Sequence, residues 1–302
     1  MHGGTEPHAV APRRLARVAV TLALAVAATM SLSSGARAAT IAPGSEYVAL
    51  GSSIAAGPVL PPVVDSGCLR SGSNYPSLVA EALSLQLVDV TCSGATTANV
   101  LSTPQGLAGG ASNPVQIDAI GPQTRLVTAS IGGNDLQYVG RLTADSCANT
   151  PVSDVPGACD ALAATPSTIP AEADYAAVED HLVQVVTTAR SRAPLATVVL
   201  VDYLPILDPN DRDCAVTPLT DIQWQTSYRV ATGLAAAFRA AADRTGATLV
   251  RASDLGVGHT PCSADPWMSG FQAPDPAGGP LPYHATEAGM AAVAADVVRT
   301  LG

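Results

Sequence analysis

The fold class of this chain is indicated by one short stretch, Tyr47-Val48-Ala49-Leu50-Gly51-Ser52-Ser53. Its apolar, β-prone residues run into a glycine and two serines, which is the pattern of a buried strand that ends in a tight turn. A strand end is rigid, and a glycine there lets a ligand approach closely. The pattern also fits an ordinary strand-to-helix loop with a serine as helix cap, so the stretch alone assigns no function.

Further apolar runs of strand length alternate with stretches of helical periodicity. This alternation is typical of βαβ units, and continuous apolar runs indicate parallel strands covered on both faces. The predicted strands are Tyr47–Leu50, Leu85–Thr91, Leu126–Ile131, Thr197–Tyr203 and Thr248–Arg251. The predicted helices are Tyr75–Leu83, a helix from Asp174 that ends before Pro194, Ile222–Arg244 and Thr286–Leu301. Neither an internal repeat nor a second linker appears, so we expect one domain.

The composition argues against a nucleic-acid partner. The chain has 302 residues and a net charge of −10, and all fifteen of its basic residues are scattered arginines. A nucleic-acid-binding protein carries clustered positive charge instead. Because its net charge is negative, the chain is also not expected to be attracted electrostatically to an anionic membrane surface.

The first residues have the pattern of an export signal. A basic region with Arg13, Arg14 and Arg17 precedes an apolar run, Val18–Met30, and a small-residue cleavage site, Ala36-Arg37-Ala38. We therefore expect residues 1–38 to be a signal peptide and residues 39–302 to be the mature, secreted domain, without stable membrane insertion after cleavage. Retention as an uncleaved anchor and association with the cell envelope are the alternatives.

Six cysteines follow the predicted signal. An even number of cysteines in an exported chain indicates disulfides, although six allow fifteen pairings. We expect neighbours in sequence to pair, as Cys68–Cys92, Cys147–Cys159 and Cys214–Cys262. No cysteine or histidine cluster has the spacing of a zinc site, so we expect no metal.

Polar or glycine positions follow three of the predicted strands: Ser53, Gly94 and Asn134. Ligands of open α/β sheets bind outside the carboxyl ends of the strands, so these positions should share one rim. The backbone amides of Ser53 and Gly94 and the side-chain amide of Asn134 could donate hydrogen bonds to an oxyanion. The alternative for the segment Gly132-Gly133-Asn134-Asp135 is an ordinary turn.

A nucleophilic serine needs a base, and histidine is the side chain whose pKa suits neutral pH. Only His181, His259 and His284 follow the predicted signal. His181 falls within a predicted helix, and His259 falls in a loop beside Cys262. His284 immediately precedes the closing helix, where its side chain can turn back over the rim of the sheet, so it is the leading candidate.

The order of these residues resembles a known family. Gly51-Ser52-Ser53 with Gly57, then Gly94, then Gly132–Asp135, then His284 with Gly289 is similar to the four blocks of the SGNH hydrolases, the GDSL lipases and esterases. An α/β-hydrolase elbow of the form G-x-S-x-G is absent. The secreted actinobacterial branch, which carries three disulfides, is the most similar, and the stretch Cys262–Trp267 also resembles it.

The resemblance implies a single-domain, three-layer α/β/α sandwich, with a flavodoxin-like sheet of five parallel strands. It implies Ser53 as the nucleophile, Gly94 and Asn134 as oxyanion donors beside the Ser53 amide, and His284 as the general base. No cofactor or metal would be required. The expected partner is a small-molecule or lipid ester, and the expected state is a monomer.

The chain departs from the family pattern at two positions. Ser52 replaces the aspartate that precedes the nucleophile, and Leu281 stands where the family usually has an aspartate three residues before the histidine. The imidazole must therefore be oriented in another way. We expect the backbone carbonyl of Leu281 to do so, as in some secreted relatives, with the carboxylate of Asp275 as the alternative.

These features predict a secreted serine esterase or lipase that hydrolyses carboxylic esters, with lipid acyl esters favoured. A catalytically weak acyl-binding surface protein and an acyltransferase that uses the same residues are the alternatives. An apolar acyl site is expected among the residues Ile54–Leu60, Leu136, Tyr138, Trp267, Met268 and Phe271.

Overall fold

Strands and helices alternate through the computed structural model. The strands are β1 (Glu46–Gly51), β2 (Val63–Asp65), β3 (Arg70–Ser71), β4 (Gln86–Asp89), β5 (Gln105–Gly106), β6 (Ser112–Asn113), β7 (Thr124–Ser130), β8 (Thr197–Val201) and β9 (Thr248–Val250). The helices are α1 (Ser53–Ala56), α2 (Tyr75–Leu83), α3 (Thr97–Leu101), α4 (Tyr138–Asn149), α5 (Glu172–Arg192), α6 (Asp221–Thr245), α7 (Ala252–Leu255) and α8 (Glu287–Leu301).

The structure describes residues 1–4, 41–150, 159, 169–210, 212, 214–272 and 279–302. Residues 38–302 form one compact unit, and residues 1–37 form another, of which only the first four are described. The rest of the predicted signal peptide lies outside the described residues, as does Asp275. Among the described helices none is long and apolar enough to cross a membrane.

A central sheet of five parallel strands has the spatial order β4-β1-β7-β8-β9. The chain leaves β1 toward one edge of the sheet and later returns to build the other edge from β7, so the strand order reverses between β1 and β7. Helices α2 and α8 pack together in one layer, and α5 and α6 pack together in the other. Because crossovers between parallel strands are right-handed as a rule, these two layers are expected on opposite faces. The parallel five-stranded sheet confirms the predicted fold class.

The apolar runs that predict the strands are buried as expected for a sheet covered on both faces. The four residues Tyr47–Leu50 have no solvent exposure, and β7 and β8 are almost as deeply buried. The hydroxyl of Tyr47 lies 2.7 Å from the hydroxyl of Thr128 on β7, so the one polar side-chain atom of the segment Tyr47–Leu50 has a hydrogen-bond partner. The strand ends are therefore held rigidly where the candidate site begins.

Two stretches between the predicted elements contain regular structure that the sequence did not predict. Between the predicted strands Leu85–Thr91 and Leu126–Ile131 lie α3, the hairpin of β5 and β6, and two 3₁₀ turns, Ala108–Gly110 and Gln116–Ala119. Helix α4 lacks the usual helix start and stop signals, since it has no side-chain cap, no acidic residue in its first turn and no basic residue in its last. Strand β4 is also shorter than the predicted Leu85–Thr91.

The six cysteines form three disulfides, Cys68–Cys92, Cys147–Cys159 and Cys214–Cys262. In each pair the two cysteines follow one another in the sequence, as predicted. Cys68–Cys92 joins the hairpin of β2 and β3 to the chain that leaves β4, and the Ser93 amide donates a hydrogen bond to the Cys68 carbonyl across the same junction. The position of the following Gly94 is thus tied to two neighbouring segments.

The ring of Tyr203 approaches residue 133 so closely that a glycine is required there. A Cβ atom at Gly133 would lie 2.7 Å from Cε1 of Tyr203, whereas a Cβ atom at Gly140 on α4 would meet nothing within 4 Å. We expect Gly133→Ala to lower the free energy of unfolding by about 1–3 kcal/mol through overpacking. The matched Gly140→Ala change should raise it by up to about 1 kcal/mol. Urea denaturation of both variants tests this, and equal stabilities would contradict it.

Candidate active site

Ser53 is held at the end of β1 by a tight turn. The Ser52 amide donates to the Ser130 carbonyl at 3.1 Å, and the Gln116 side chain bonds both the amide and the carbonyl of Gly51, at 2.8 and 3.0 Å. Gly51 has φ +155°, and a Cβ atom there would lie 2.7 Å from the Ser130 carbonyl oxygen. Only glycine fits this close approach. The turn places Ser53 at the first position of α1.

The side chains of Ser53 and His284 meet at the rim of the sheet. The Ser53 Oγ lies 2.8 Å from Nε2 of His284, although the two residues are 231 positions apart. Both are buried, with exposed fractions of 8% and 7%. The structure therefore brings together the two residues that the sequence nominates as nucleophile and base.

Two backbone carbonyls bond to the His284 ring. Nδ1 lies 2.9 Å from the carbonyl oxygen of Pro282, and the Leu281 carbonyl, the expected partner, also favours the protonated ring. A carbonyl only accepts, so Nδ1 carries the proton and Nε2 is left to accept the Ser53 hydroxyl proton. The carbonyl of Leu281 also accepts from the backbone amide of His284, at 3.1 Å, and from the hydroxyl of Ser269.

Ser269 braces the turn that contains His284. Its hydroxyl donates to the Leu281 carbonyl at 2.6 Å and accepts from the His284 amide at 3.2 Å. Its own amide donates to the His284 carbonyl at 2.8 Å, next to a bridge between Met268 and Ala285. These bonds fix both ends of the turn without a carboxylate. The alternative carboxylate, Asp275, lies outside the described residues.

Three candidate oxyanion donors lie at the ends of neighbouring strands. Among the described residues the backbone amides of Ser53 and Gly94 donate to no acceptor. The Asn134 side-chain amide donates one N–H to the Ala95 carbonyl at 2.8 Å, and its second N–H has no protein acceptor in the described part of the chain. Uncommitted donors of this kind can stabilise negative charge on a reacting oxygen.

Tyr203 links the two turns of the site. Its buried hydroxyl accepts from the Gly133 amide at 3.0 Å and lies 3.5 Å from the Ser52 Oγ. Burial raises the pKa of Tyr203 to about 12, so the phenol keeps its proton. Neither Tyr203 nor Gln116 was predicted to belong to the site, because neither lies in a sequence block that resembles the family.

The other two histidines have different surroundings. Nδ1 of His181 lies 2.7 Å from the hydroxyl of Thr97, and the ring of His259 stacks on Trp267 with centroids 3.7 Å apart. Of the three histidines, His284 alone contacts a serine hydroxyl within the described residues. In that same part of the chain, no group of three or more histidine, cysteine or acidic side chains is placed to hold a metal ion.

The expected apolar acyl site is mostly interior. Leu136, Tyr138 and Met268 have exposed fractions of 1–2%, so they belong to the core. A cavity of about 300 Å³ is lined by Tyr203, Tyr138 and Leu207 together with charged side chains such as Asp208, Arg239 and Asp254. None of Ser53, Gly94, Asn134 and His284 lines this cavity, so it does not stand in for the expected acyl site.

Burial is the main influence on the protonation of His284. It lowers the pKa of the imidazole from 6.5 to about 4, and the carbonyls of Pro282 and Leu281 offset only part of this shift. No charged group among the described residues contributes to the pKa shift of His284. The ring is consequently a neutral hydrogen-bond acceptor at neutral pH.

We expect NMR titration of the folded protein to give His284 a pKa near 4, against about 6.5 in the urea-unfolded chain. Because the folded pKa is the lower one, the unfolded chain binds the proton first. The contribution of His284 to stability is thus present above pH 6.5 and is lost as the pH falls toward 4. His284→Gln should lose less stability over that range. A folded pKa at or above 6.5 would contradict the desolvated site.

Comparison with known proteins identifies the family. Residues 49–292 match the model of the GDSL-like lipase/acylhydrolase family. Lipase 2 of Streptomyces coelicolor is 34% identical over 266 residues, which cover 84% of this chain and 86% of that protein.

Two solved structures are similar to the chain over most of its length. The extracellular lipase of Streptomyces rimosus has a TM-score of 0.62 at 26% identity, and phospholipase A1 of Streptomyces albidoflavus has a TM-score of 0.61 at 25% identity. Each match covers 85% of this chain and 98% of the other. These matches make the chain a carboxylic ester hydrolase, and it belongs to the GDSL-like lipase/acylhydrolase family.

Proposed function

We propose that the chain is an exported serine hydrolase that cleaves lipid acyl esters through an acyl-enzyme on Ser53, with His284 as the general base. The observation that carries the proposal is the 2.8 Å contact between the Ser53 Oγ and Nε2 of a buried, neutral His284. Such a pair is the minimum needed to activate a serine. The N–H groups of Ser53, Gly94 and Asn134 that have no acceptor among the described residues supply the second requirement of acyl transfer.

The first half of the reaction forms the acyl-enzyme. Nε2 of His284 takes the proton of the Ser53 hydroxyl while Oγ bonds to the ester carbonyl carbon, and the carbonyl π electrons move to its oxygen. The amides of Ser53, Gly94 and Asn134 donate to this oxyanion. When the carbonyl re-forms, the bond to the leaving alcohol breaks and the alcohol takes the proton from His284. The result is an ester on Ser53.

The second half of the reaction repeats these steps with water. Nε2 of His284 accepts a proton from the water as its oxygen bonds to the acyl carbon, and the oxyanion forms again in the same place. The carbonyl then re-forms, the bond to Ser53 breaks, and the proton returns to Oγ. The carboxylic acid leaves and the dyad is restored.

The proposed imidazolium is stabilised by dipoles and not by a carboxylate among the described residues. Nδ1–H already points at the Pro282 carbonyl at 2.9 Å, so its orientation does not change during proton transfer. The positive charge of the imidazolium is balanced chiefly by the oxyanion that forms at the same moment. A low pKa of the free imidazole is consistent with such a site, because the charged form is favoured only when the oxyanion is present.

Support for lipid esters as substrates and for export comes from separate observations. The similar proteins include lipases and a phospholipase A1, which supports lipid esters as substrates. Three disulfides suit an oxidising compartment, in agreement with the predicted signal peptide.

The direct test is hydrolysis of short- and long-chain p-nitrophenyl esters by the oxidised protein without residues 1–38. We expect Ser53→Ala to lower kcat by at least about a thousandfold, since the nucleophile is lost. Asp275→Asn should keep the wild-type rate if the Pro282 carbonyl is the partner of the ring.

Undiminished hydrolysis by Ser53→Ala would refute the proposal. Wild type that binds the esters without hydrolysis would favour the acyl-binding protein. Transfer of the acyl group to added glycerol in preference to water would favour the acyltransferase. A large loss of activity in Asp275→Asn would restore that carboxylate as the partner of His284.

The Ser269 brace can be tested with a matched serine. Ser269→Ala removes the hydroxyl that bonds both the Leu281 carbonyl and the His284 amide. We expect kcat to fall by about tenfold with little change in KM, because a displaced base affects the reaction more than binding. Ser130 is also buried, but its hydroxyl has no partner among the described residues. Ser130→Ala should therefore leave kcat unchanged, and equal effects of the two changes would exclude a specific brace.

A further inference from the structure

Two of the candidate oxyanion donors come from separate loops that must keep a fixed distance. Gly94 lies between β4 and α3, and Asn134 lies between β7 and α4. One hydrogen bond joins the loops directly, from the Asn134 side chain to the Ala95 carbonyl at 2.8 Å. A single bond leaves the two loops free to pivot about it, so a second connection is needed to fix the Gly94 amide relative to the Asn134 amide.

Asp135 and Thr97 provide this second connection. The Thr97 amide donates to Oδ2 of Asp135 at 3.0 Å, and the Thr97 hydroxyl donates to Oδ1 at 2.6 Å. Thr97 is completely buried and follows Ala95 by two residues, while Asp135 directly follows Asn134. The two connections therefore run side by side between the same pair of loops.

His181 fixes the direction of the Thr97 hydroxyl. An ionised carboxylate only accepts hydrogen bonds, so the hydroxyl proton of Thr97 is committed to Asp135. Nδ1 of His181, 2.7 Å from the same hydroxyl oxygen, must then be the donor. This assigns the Nδ1–H form to His181, and it connects helix α5 to the junction of the two loops.

Stabilisation of α3 alone does not account for this arrangement. The first turn of α3 already has a local side-chain connection, because the amide and hydroxyl of Thr96 both donate to Oδ1 of Asn99, at 2.9 and 3.0 Å. Asp135 and His181 reach the same helix from distant positions, 38 and 84 residues away from Thr97. Their common effect is to join the loop of Gly94 to the loop of Asn134.

We propose that Asp135 is a positioning residue for ester hydrolysis: acting through Thr97, it sets the distance between the Gly94 amide and the Asn134 side-chain amide, and His181 orients the Thr97 hydroxyl for this task. The inference rests on the proposed function, since it assigns these amides to one oxyanion. Asp135, Thr97 and His181 touch neither the reacting atoms nor the dyad of Ser53 and His284.

The experiment compares variants that break the brace with one that conserves it. Asp135→Asn retains the shape of the side chain but replaces one acceptor with a donor, and Thr97→Val removes the hydroxyl. Thr97→Ser retains both bonds to Asp135. The matched control is Asn99→Ala, which loosens the same turn of α3 without touching the brace. For each variant we would measure thermal stability, and kcat and KM on a p-nitrophenyl ester.

The second readout is the dissociation constant of n-butylboronic acid, followed by calorimetry. The Ser53 oxygen donates an electron pair to boron, its proton passes to His284, and the resulting tetrahedral boronate carries a negative charge beside the oxyanion donors. This adduct reports on the donors whether or not the protein turns over an ester. It resembles the transition state more closely than the substrate does.

We expect Asp135→Asn and Thr97→Val to lower kcat by about tenfold or more and to weaken boronate binding by a similar factor, with KM within about twofold of wild type. Thr97→Ser should keep wild-type kcat. Asn99→Ala should lower thermal stability and leave kcat and boronate affinity unchanged. His181→Leu should resemble Thr97→Val, although with a smaller loss.

Two results would overturn the inference. The first is that Asp135→Asn keeps the kcat and the boronate affinity of wild type. The second is that Asn99→Ala loses as much kcat and boronate affinity as Asp135→Asn does, because the loss would then reflect only the stability of α3. Failure of the proposed function has a different signature. In that case wild type hydrolyses no ester, whereas weaker boronate binding by Asp135→Asn than by Asn99→Ala would still support the brace.

Discussion

The candidate site depends on one backbone hydrogen bond, from Nδ1–H of His284 to the carbonyl of Pro282. This bond selects the tautomer, and the tautomer leaves Nε2 free to accept the Ser53 proton. A carbonyl in a turn is only as fixed as the turn itself. The surrounding structure meets this constraint through the Ser269 hydroxyl and the bridge between Met268 and Ala285, which anchor the turn at both ends.

In the proposed mechanism, a carbonyl dipole in place of a carboxylate shifts the electrostatic demand to the other side of the site. A carboxylate stabilises an imidazolium strongly, whereas a backbone dipole does so weakly, and burial opposes the charged ring. More of the stabilisation of the imidazolium must therefore come from the oxyanion and its donors. Hydrogen bonds that connect the donor loops, such as those of Thr97 with Asp135 and of Asn134 with Ala95, gain importance for this reason.

The sequence predicts the parts of this structure that depend on local patterns. Continuous apolar runs identify the five strands of the central sheet, and the glycines beside Ser53 and Asn134 mark turns whose close contacts exclude a side chain. His284 follows from the short list of histidines. The contact of its ring with the Pro282 carbonyl does not, because it depends on the path of a turn in which Tyr283 has φ +62°.

Tertiary contacts were the least predictable features. The bond between Gly133 and Tyr203 and the clamp of Gln116 on Gly51 join residues 65–70 positions apart, and neither side chain has a distinctive local pattern. Helix α4 escaped detection for a different reason, since it lacks a capping side chain, an acidic residue in its first turn and a basic residue in its last. Packing decides these features, and packing is not visible in a single sequence.

The separation of 231 positions between Ser53 and His284 has a consequence for the order of events during biosynthesis. Ser53 follows the first strand and His284 lies shortly before the last helix, so their contact closes a loop that spans nearly the whole unit. Loops of this size close late, after local elements have formed. A chain still emerging from the ribosome can therefore contain Ser53 and all three candidate oxyanion donors while it lacks His284. The proposed dyad thus forms only as folding is completed.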